Sequence, residues 1–261
     1  HCTGTDWRAE PEQLHIELPP GQAVRQTVQA GCGAQVFPLP EVRLTYHTAA
    51  GDRAGRLDVQ LPPYRELRLV RLGAAPRIDG ELEPSEKAPL DWQVGLTEYH
   101  GSGPARIPTE FGAGLYDNAL YVVVISFEPE MAHLRIRDPK APTAHGSDDC
   151  AEVFLQREGE EAYYQFLLNA HGQRLDAKSG WNARALAWSG EWTSAVRRLA
   201  DRWIAEFLID LGMLERPLAA GDVLRLNVGR NSAVHGEYSQ WSFTNRASSH
   251  VPQCFGTARV V

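Results

Sequence analysis

The sequence predicts an all-β protein: a jelly-roll-like β-sandwich with a smaller immunoglobulin-like β block in front of it. Three observations point there. Helix-period patterns are scarce, and short alternating apolar runs recur at roughly ten-residue spacing. Gly, Pro, Asn and Asp separate those runs, as turns require. No internal repeat or low-complexity tract interrupts the pattern.

The first block, residues 1–72, contains the runs Leu14–Leu18, Ala23–Ala30, Val42–His47 and Arg56–Leu61. Pro19-Pro20-Gly21 and Ala50-Gly51-Asp52 read as turns between them. A block this short has little material for a core, so it is expected as a small immunoglobulin-like domain or the remnant of a larger one. The second block, 73–261, carries the sandwich. Asp117-Asn118 between FGAGLY and ALYVVVISF marks a hairpin. CAEVFLQ and AYYQFLL follow, divided by the acidic turn Arg157–Glu161, and then EWTSAVRRL, DRWIAEFLID, DVLRLNVGR, YSQWSF and FGTARVV. In DRWIAEFLID, Trp203, Ala205, Phe207 and Ile209 fall on one face. Only LGMLERPL suggests a helical turn.

Composition narrows the function. The 261 residues carry a net charge of -7, which argues against nucleic acid as a partner. No apolar run approaches the roughly 20 residues that span a bilayer, so no membrane partner is expected. No secretory h-region opens the chain, which reads as a mature or trimmed start. Cys2, Cys32, Cys150 and Cys254 form no C-x-x-C pair. Their even count and wide spacing suit two disulfides and a secreted, extracellular or periplasmic location. Cys2–Cys32 and Cys150–Cys254 are the expected pairs, because each stays within one block. The alternative is buried free thiols.

The order of segments in the second block resembles the family-nine carbohydrate-binding module. PRIDGELEPSE, DNALYVVV, DDCAEVFL, YYQFLLNAHG, DRWIAEFLI, GDVLRLNVGRN, YSQWS and HVPQCFG carry the resemblance, over roughly Pro76 to Val261. It implies a jelly-roll sandwich, an extracellular location, structural calcium in some members and a saccharide ligand from plant or microbial polysaccharide. Further domains of a larger polysaccharide-degrading enzyme are the implied partners. Residue by residue, the resemblance puts ligand contacts at Glu152, Asn169 and Asn227. Carboxylate and amide groups suit sugar hydroxyls, which both donate and accept. The tryptophans of the family's clamp are absent. Thr143-Ala144-His145-Gly146 and Ser248-Ser249-His250 occupy those stretches, and Lys87 stands where the family has an early tryptophan.

Trp181, in the loop stretch SGWNARALAWSGEW, is the candidate replacement ring, since an exposed aromatic stacks on the C–H face of a sugar. Trp188 and Trp192 share that stretch, whereas Trp203 and Trp241 read as core. His145 and His250 are ligand candidates that would form a metal- or haem-binding redox site if they met in one cleft. His1 would chelate copper through its amine and ring, although nothing else here follows that pattern. Asp148, Asp149 and Asp117 are candidate calcium ligands, with Asp79-Gly80 beside them, against the plainer role of Asp in turns. No second carboxylate pairs with Glu152 as a glycosidase needs, and no nucleophile or phosphate-loop motif occurs. Non-catalytic binding therefore leads. A structural module with a degenerate site, its cleft filled by its own loops, is the remaining alternative.

Overall fold

The computed structural model describes residues 2–3, 7–26, 28–32, 41–51, 53–60, 65–99, 103–180, 182–244 and 248–261, with the backbone alone at 2, 3, 7, 32, 41, 42 and 58–60. The chain divides into two compact units, His1–Pro63 and Tyr64–Val261.

In the first unit, strands β1 (Cys2–Thr3), β4 (Glu41–His47) and β5 (Ala54–Gln60) form one antiparallel sheet, and β2 (Trp7–Glu10) pairs with β3 (Gln29–Cys32). The expected run Leu14–Leu18 is not a strand, and its apolar side chains are exposed. Leu44 and Leu57 face each other across β4 and β5 and are also exposed. None of the described side chains in this unit is buried.

The second unit is the sandwich. Its strands are β6 (Glu66–Arg71), β7 (Asp91–Gln93), β8 (Thr97–Glu98), β9 (Thr109–Tyr116), β10 (Ala119–Phe127), β11 (Cys150–Arg157), β12 (Tyr164–Asn169), β13 (Arg174–Lys178), β14 (Trp192–Arg198), β15 (Arg202–Asp210), β16 (Val223–Ser232), β17 (Glu237–Gln240) and β18 (Gly256–Val260). One layer runs β13-β12-β11-β16-β18, with β17 beside β16 and β8 beside β17; the other runs β9-β10-β15-β14, with β7 beside β9. β6 joins them, parallel to β18 on one side and to β9 on the other. Its alternation explains the position, because Leu67 and Leu69 are buried between neighbours that turn polar at the surface. The sequence boundary at residue 73 had left this strand with the first block, whereas the compact unit begins before it.

The core lies between the layers. Phe111, Leu120, Val122, Val124, Trp203, Phe207, Val153, Phe166, Leu226, Val228 and Trp241 all belong to it. Trp203, Ala205, Phe207 and Ile209 point inward as their alternation predicts. The hairpin turn falls at Asp117-Asn118, with Asp117 in the left-handed region at φ 50. Trp192 is buried and stacks on Phe207, while Trp188 packs half-buried against Tyr164 and Phe166.

A second apolar layer covers the outer face of β10 and β15. Tyr121, Val123, Ile125 and Ile204 pack there under Ile78, Leu82, Leu90 and Trp92. Helix α1 (Pro84–Lys87) lies in this covering segment. Glu206 on β15 fixes the segment. Its Oε2 accepts from the backbone N–H of Asp79 at 3.0 Å and of Gly80 at 2.6 Å, and its Oε1 accepts from the Tyr121 hydroxyl at 2.6 Å. Gly80 has φ 81, and a Cβ there would sit 2.8 Å from Arg197 Cβ. The Ile-Asp-Gly stretch is thus a backbone latch, and Asp79 serves it through its N–H.

Candidate functional site

Alternation along β11 sends Ala151, Val153 and Leu155 into the core and Cys150, Glu152 and Phe154 to the opposite face. Register then decides which neighbours Glu152 meets. Glu152 pairs with Leu167 on β12 and Gly229 on β16, Phe154 pairs with Gln165, and Asn231 pairs with Tyr238 on β17. Gln165, Glu152 and Tyr238 therefore share one face of four adjacent strands. Gly229 makes room between them, since a Cβ there would lie 2.6 Å from the Tyr238 hydroxyl.

Loops complete the hollow. Gly146 and Ser147, Ser249 and His250, Tyr99 and Asn231 join Glu152, Gln165 and Tyr238 around a cleft of about 390 Å³. Apolar clusters flank it. Phe154, Tyr163 and Phe255 pack on one side, and Ala144, Cys150 and Leu167 on the other. His250 sits edge-on to Phe154, and its Nδ1 is 3.0 Å from the Tyr163 hydroxyl. Tyr99 meets Tyr238 edge to face, with ring centroids 4.9 Å apart.

Glu152 is the electrostatic centre. It is buried at 4% exposure. Its Oε2 accepts from Gln165 Nε2 at 2.7 Å, and its Oε1 faces the Cys150 thiol at 3.9 Å. Burial pushes its pKa up to about 7, against a weaker opposing pull from the Gln165, Tyr238 and Cys150 side chains. No described Lys or Arg lines the cleft. Burial likewise raises the Cys150 thiol and the Tyr238 and Tyr99 phenols, with the Glu152 charge adding to each. Burial lowers His250, which favours the neutral ring at pH 7. Two floor atoms stand out. Gln165 Oε1 and the Tyr238 hydroxyl are buried and have no hydrogen-bond partner among the described residues, although Tyr238 lies beside Glu152 and Ser249. Buried polar atoms left this way call for a partner from outside the fold.

The other sequence candidates take different places. Asn169 is buried but spent. Its amide donates to Asp148 and Gln173, and its Oδ1 accepts from the N–H of His171 and Gln173. Asn227 is spent in the same way, on Gln240, Ser242 and Val228. Both hold turns and strands together, and neither lines the cleft. His145 is exposed and its Nδ1 lies 2.7 Å from Oγ of Ser147, a lining residue, but His145 itself does not line the cleft that His250 lines.

Asp148 and Asp149 accept backbone N–H groups from Arg137, His145, Arg135 and Ala233 and so clamp the loop before β11. Asp117 is exposed on its hairpin. Among the described residues no three His, Cys, Asp or Glu side chains group to hold an ion. Cys150 and Cys254 are free thiols, contrary to the expected disulfide, with Cys150 buried beside Ala144 and Leu167 and its thiol 3.9 Å from Glu152 Oε1. Trp181, His1 and the side chains of Cys2 and Cys32 lie outside the described residues.

A larger hollow of about 610 Å³ borders Trp188, Lys178, Asn182 and Arg184. Asn182 Oδ1 is occupied there by the N–H groups of Arg184 and Ala185, and no buried orphaned atom lines that hollow. Sequence reasoning missed Gln165, Tyr238, Tyr99 and Ser249. Gln165 shares a face with Asn169, which alternation alone would have offered as an equal candidate.

The larger unit is a β-sandwich with a polar, aromatic-walled cleft on the outer face of one layer. No protein-family model and no curated protein matches the sequence. Solved structures do match by fold. A putative carbohydrate-binding protein from Bacteroides uniformis shares 19% identity at a TM-score of 0.61, covering 76% of this chain and 100% of its own. A family-nine carbohydrate-binding module from Caldicellulosiruptor kristjanssonii in complex with cellotriose shares 16% identity at a TM-score of 0.55, covering 75% and 93%. The glucose complex of a family-nine module from that organism gives 16% identity at a TM-score of 0.56, covering 76% and 96%. The larger unit thus has the family-nine module fold.

Proposed function

We propose that the larger unit binds a saccharide, without catalysis, in the cleft floored by Glu152, Gln165 and Tyr238. One observation carries the reading: a buried carboxylate with a single N–H donor sits beside Gln165 Oε1, which is buried without a partner among the described residues, and beside the buried Tyr238 hydroxyl. Sugar hydroxyls supply donors and acceptors together, and the rings of Tyr99, Tyr238 and His250 offer apolar wall for pyranose C–H groups. Two of the solved structures of the same fold are complexes with cellotriose and with glucose, which supports the ligand class. Among the described cleft-lining residues Glu152 is the one carboxylate, whereas glycoside hydrolysis uses two.

An extracellular role beside a polysaccharide-degrading system belongs to the same proposal, as does structural calcium. Free Cys150 and Cys254 give the extracellular placement no support. Calorimetric titration with cello-, xylo- and manno-oligosaccharides, each beside its reduced alditol, tests the binding. Heat with at least one series, lost in Glu152→Ala, is the expected result, and loss on reduction would show that chain ends are recognised. Absence of heat with every one of these neutral series and with amino-sugar oligomers overturns the proposal.

A further inference from the structure

The cleft holds a carboxyl group that no cationic side chain of the described residues pairs with. Glu152 faces Cys150 on its own strand, Gln165 on β12, Gly229 on β16 and Tyr238 on β17, with Tyr99, Ser249 and His250 closing the opening. None of these brings a positive charge at neutral pH, given that burial disfavours the His250 cation. Among the described residues Glu152 has no ion pair, in contrast with the other buried glutamate beside a histidine, Glu128, which meets Arg230 at 3.0 Å and His235 at 2.7 Å.

The surroundings suit a cation. Gln165 Oε1 is a pure acceptor left without a donor, and the Tyr238 hydroxyl can accept as well. Tyrosine faces attract ammonium groups through the ring quadrupole. Lysine or arginine at the rim would repel such a group, and the described lining contains neither.

Resting on the saccharide reading above, we propose that the preferred ligand is an amino sugar, with its protonated amine seated against Glu152 and Gln165 Oε1. A neutral hydroxyl in that seat satisfies hydrogen bonds but leaves the carboxylate charge uncompensated. An ammonium does both, so the discrimination is electrostatic and local to one ring carbon.

Three tetramers with one β-1,4 pyranose frame and different groups at C2 test this: the glucosamine tetramer, the N-acetylglucosamine tetramer and cellotetraose. Each is titrated calorimetrically into the full chain at pH 7. The glucosamine tetramer should bind at least about tenfold tighter than either other tetramer. The preference should shrink towards pH 5 as Glu152 takes up its proton. In Glu152→Gln, with its fold checked by circular dichroism, the ratio of glucosamine to cellotetraose affinity should fall to about one, whatever each affinity becomes. Equal or tighter binding of cellotetraose, or a preference unchanged between pH 5 and 7, overturns the amino-sugar proposal and leaves the saccharide reading standing. Failure of all three tetramers removes both.

Discussion

Glu152 should make the stability of the sandwich fall as the pH rises. Its carboxyl titrates at about 7 in the folded protein, against 4.5 in an open chain, because burial penalises the charged form. Between those values the native state binds more protons than the unfolded state, so stability decreases with pH. The gap corresponds to roughly 3 kcal/mol, at about 1.4 kcal/mol for each pH unit. That contribution is fully present below pH 4.5 and is lost as the pH passes through 7. Replacing Glu152 with Gln removes the titrating group while keeping its shape and its bond with Gln165. Urea unfolding of both proteins at several pH values from 5 to 8, followed by tryptophan fluorescence, gives the difference in stability at each pH. Other raised carboxyls, Glu206 and Asp149, cancel in that difference. The advantage of Glu152→Gln should grow by about 2.5 kcal/mol from pH 5 to 8, the rest of the gap being lost below pH 5. A flat difference would refute the claim that Glu152 is buried without a compensating charge.

Tyr238→Phe removes a buried hydroxyl that makes no well-formed hydrogen bond among the described residues, so stability should hold or rise by about 1 kcal/mol while saccharide affinity falls about tenfold, read by melting and calorimetry on one preparation. Glu206→Ala strands two backbone N–H groups and a phenol, which should cost about 3–5 kcal/mol and speed proteolysis between Pro76 and Leu90. Iodoacetamide should label Cys254, which is half-buried, in the native protein, and Cys150 only after unfolding, since that thiol is enclosed and held protonated. A Cys150–Cys254 linked peptide after non-reducing digestion would contradict that state.

Strand identity was legible because alternation is a local property. Trp203 to Ile209 and the Asp117-Asn118 hairpin needed no knowledge of neighbours. Glu152 was legible for the same reason, with the family resemblance pointing to its strand. The rest of the site depends on register. Tyr238 reaches Glu152 because β17 pairs with β16 so that Gly229 lies between them, and no local pattern encodes that pairing. Asn169 and Asn227 show the converse. Their residue types suited a sugar, but only the hydrogen-bond partners reveal that their amides are already used. Glu66–Arg71 went to the wrong block because a parallel strand far from its partner in sequence looks like any other alternating run. Count and spacing suggest a covalent partner for Cys150, whereas its neighbours in space leave it a buried free thiol facing Glu152.

The parallel pairing of β6 with β18, from Glu66 beside Thr257 to Leu69 beside Val260, has a mechanical consequence. Tension applied to the chain at Arg65 and at Val261 slides these strands lengthwise past each other. The ladder bonds between them are then loaded together in shear instead of opening one at a time. Stretching the molecule between those points should therefore need a higher rupture force than stretching it from Arg65 to the Asp117-Asn118 turn, a comparison open to single-molecule force spectroscopy.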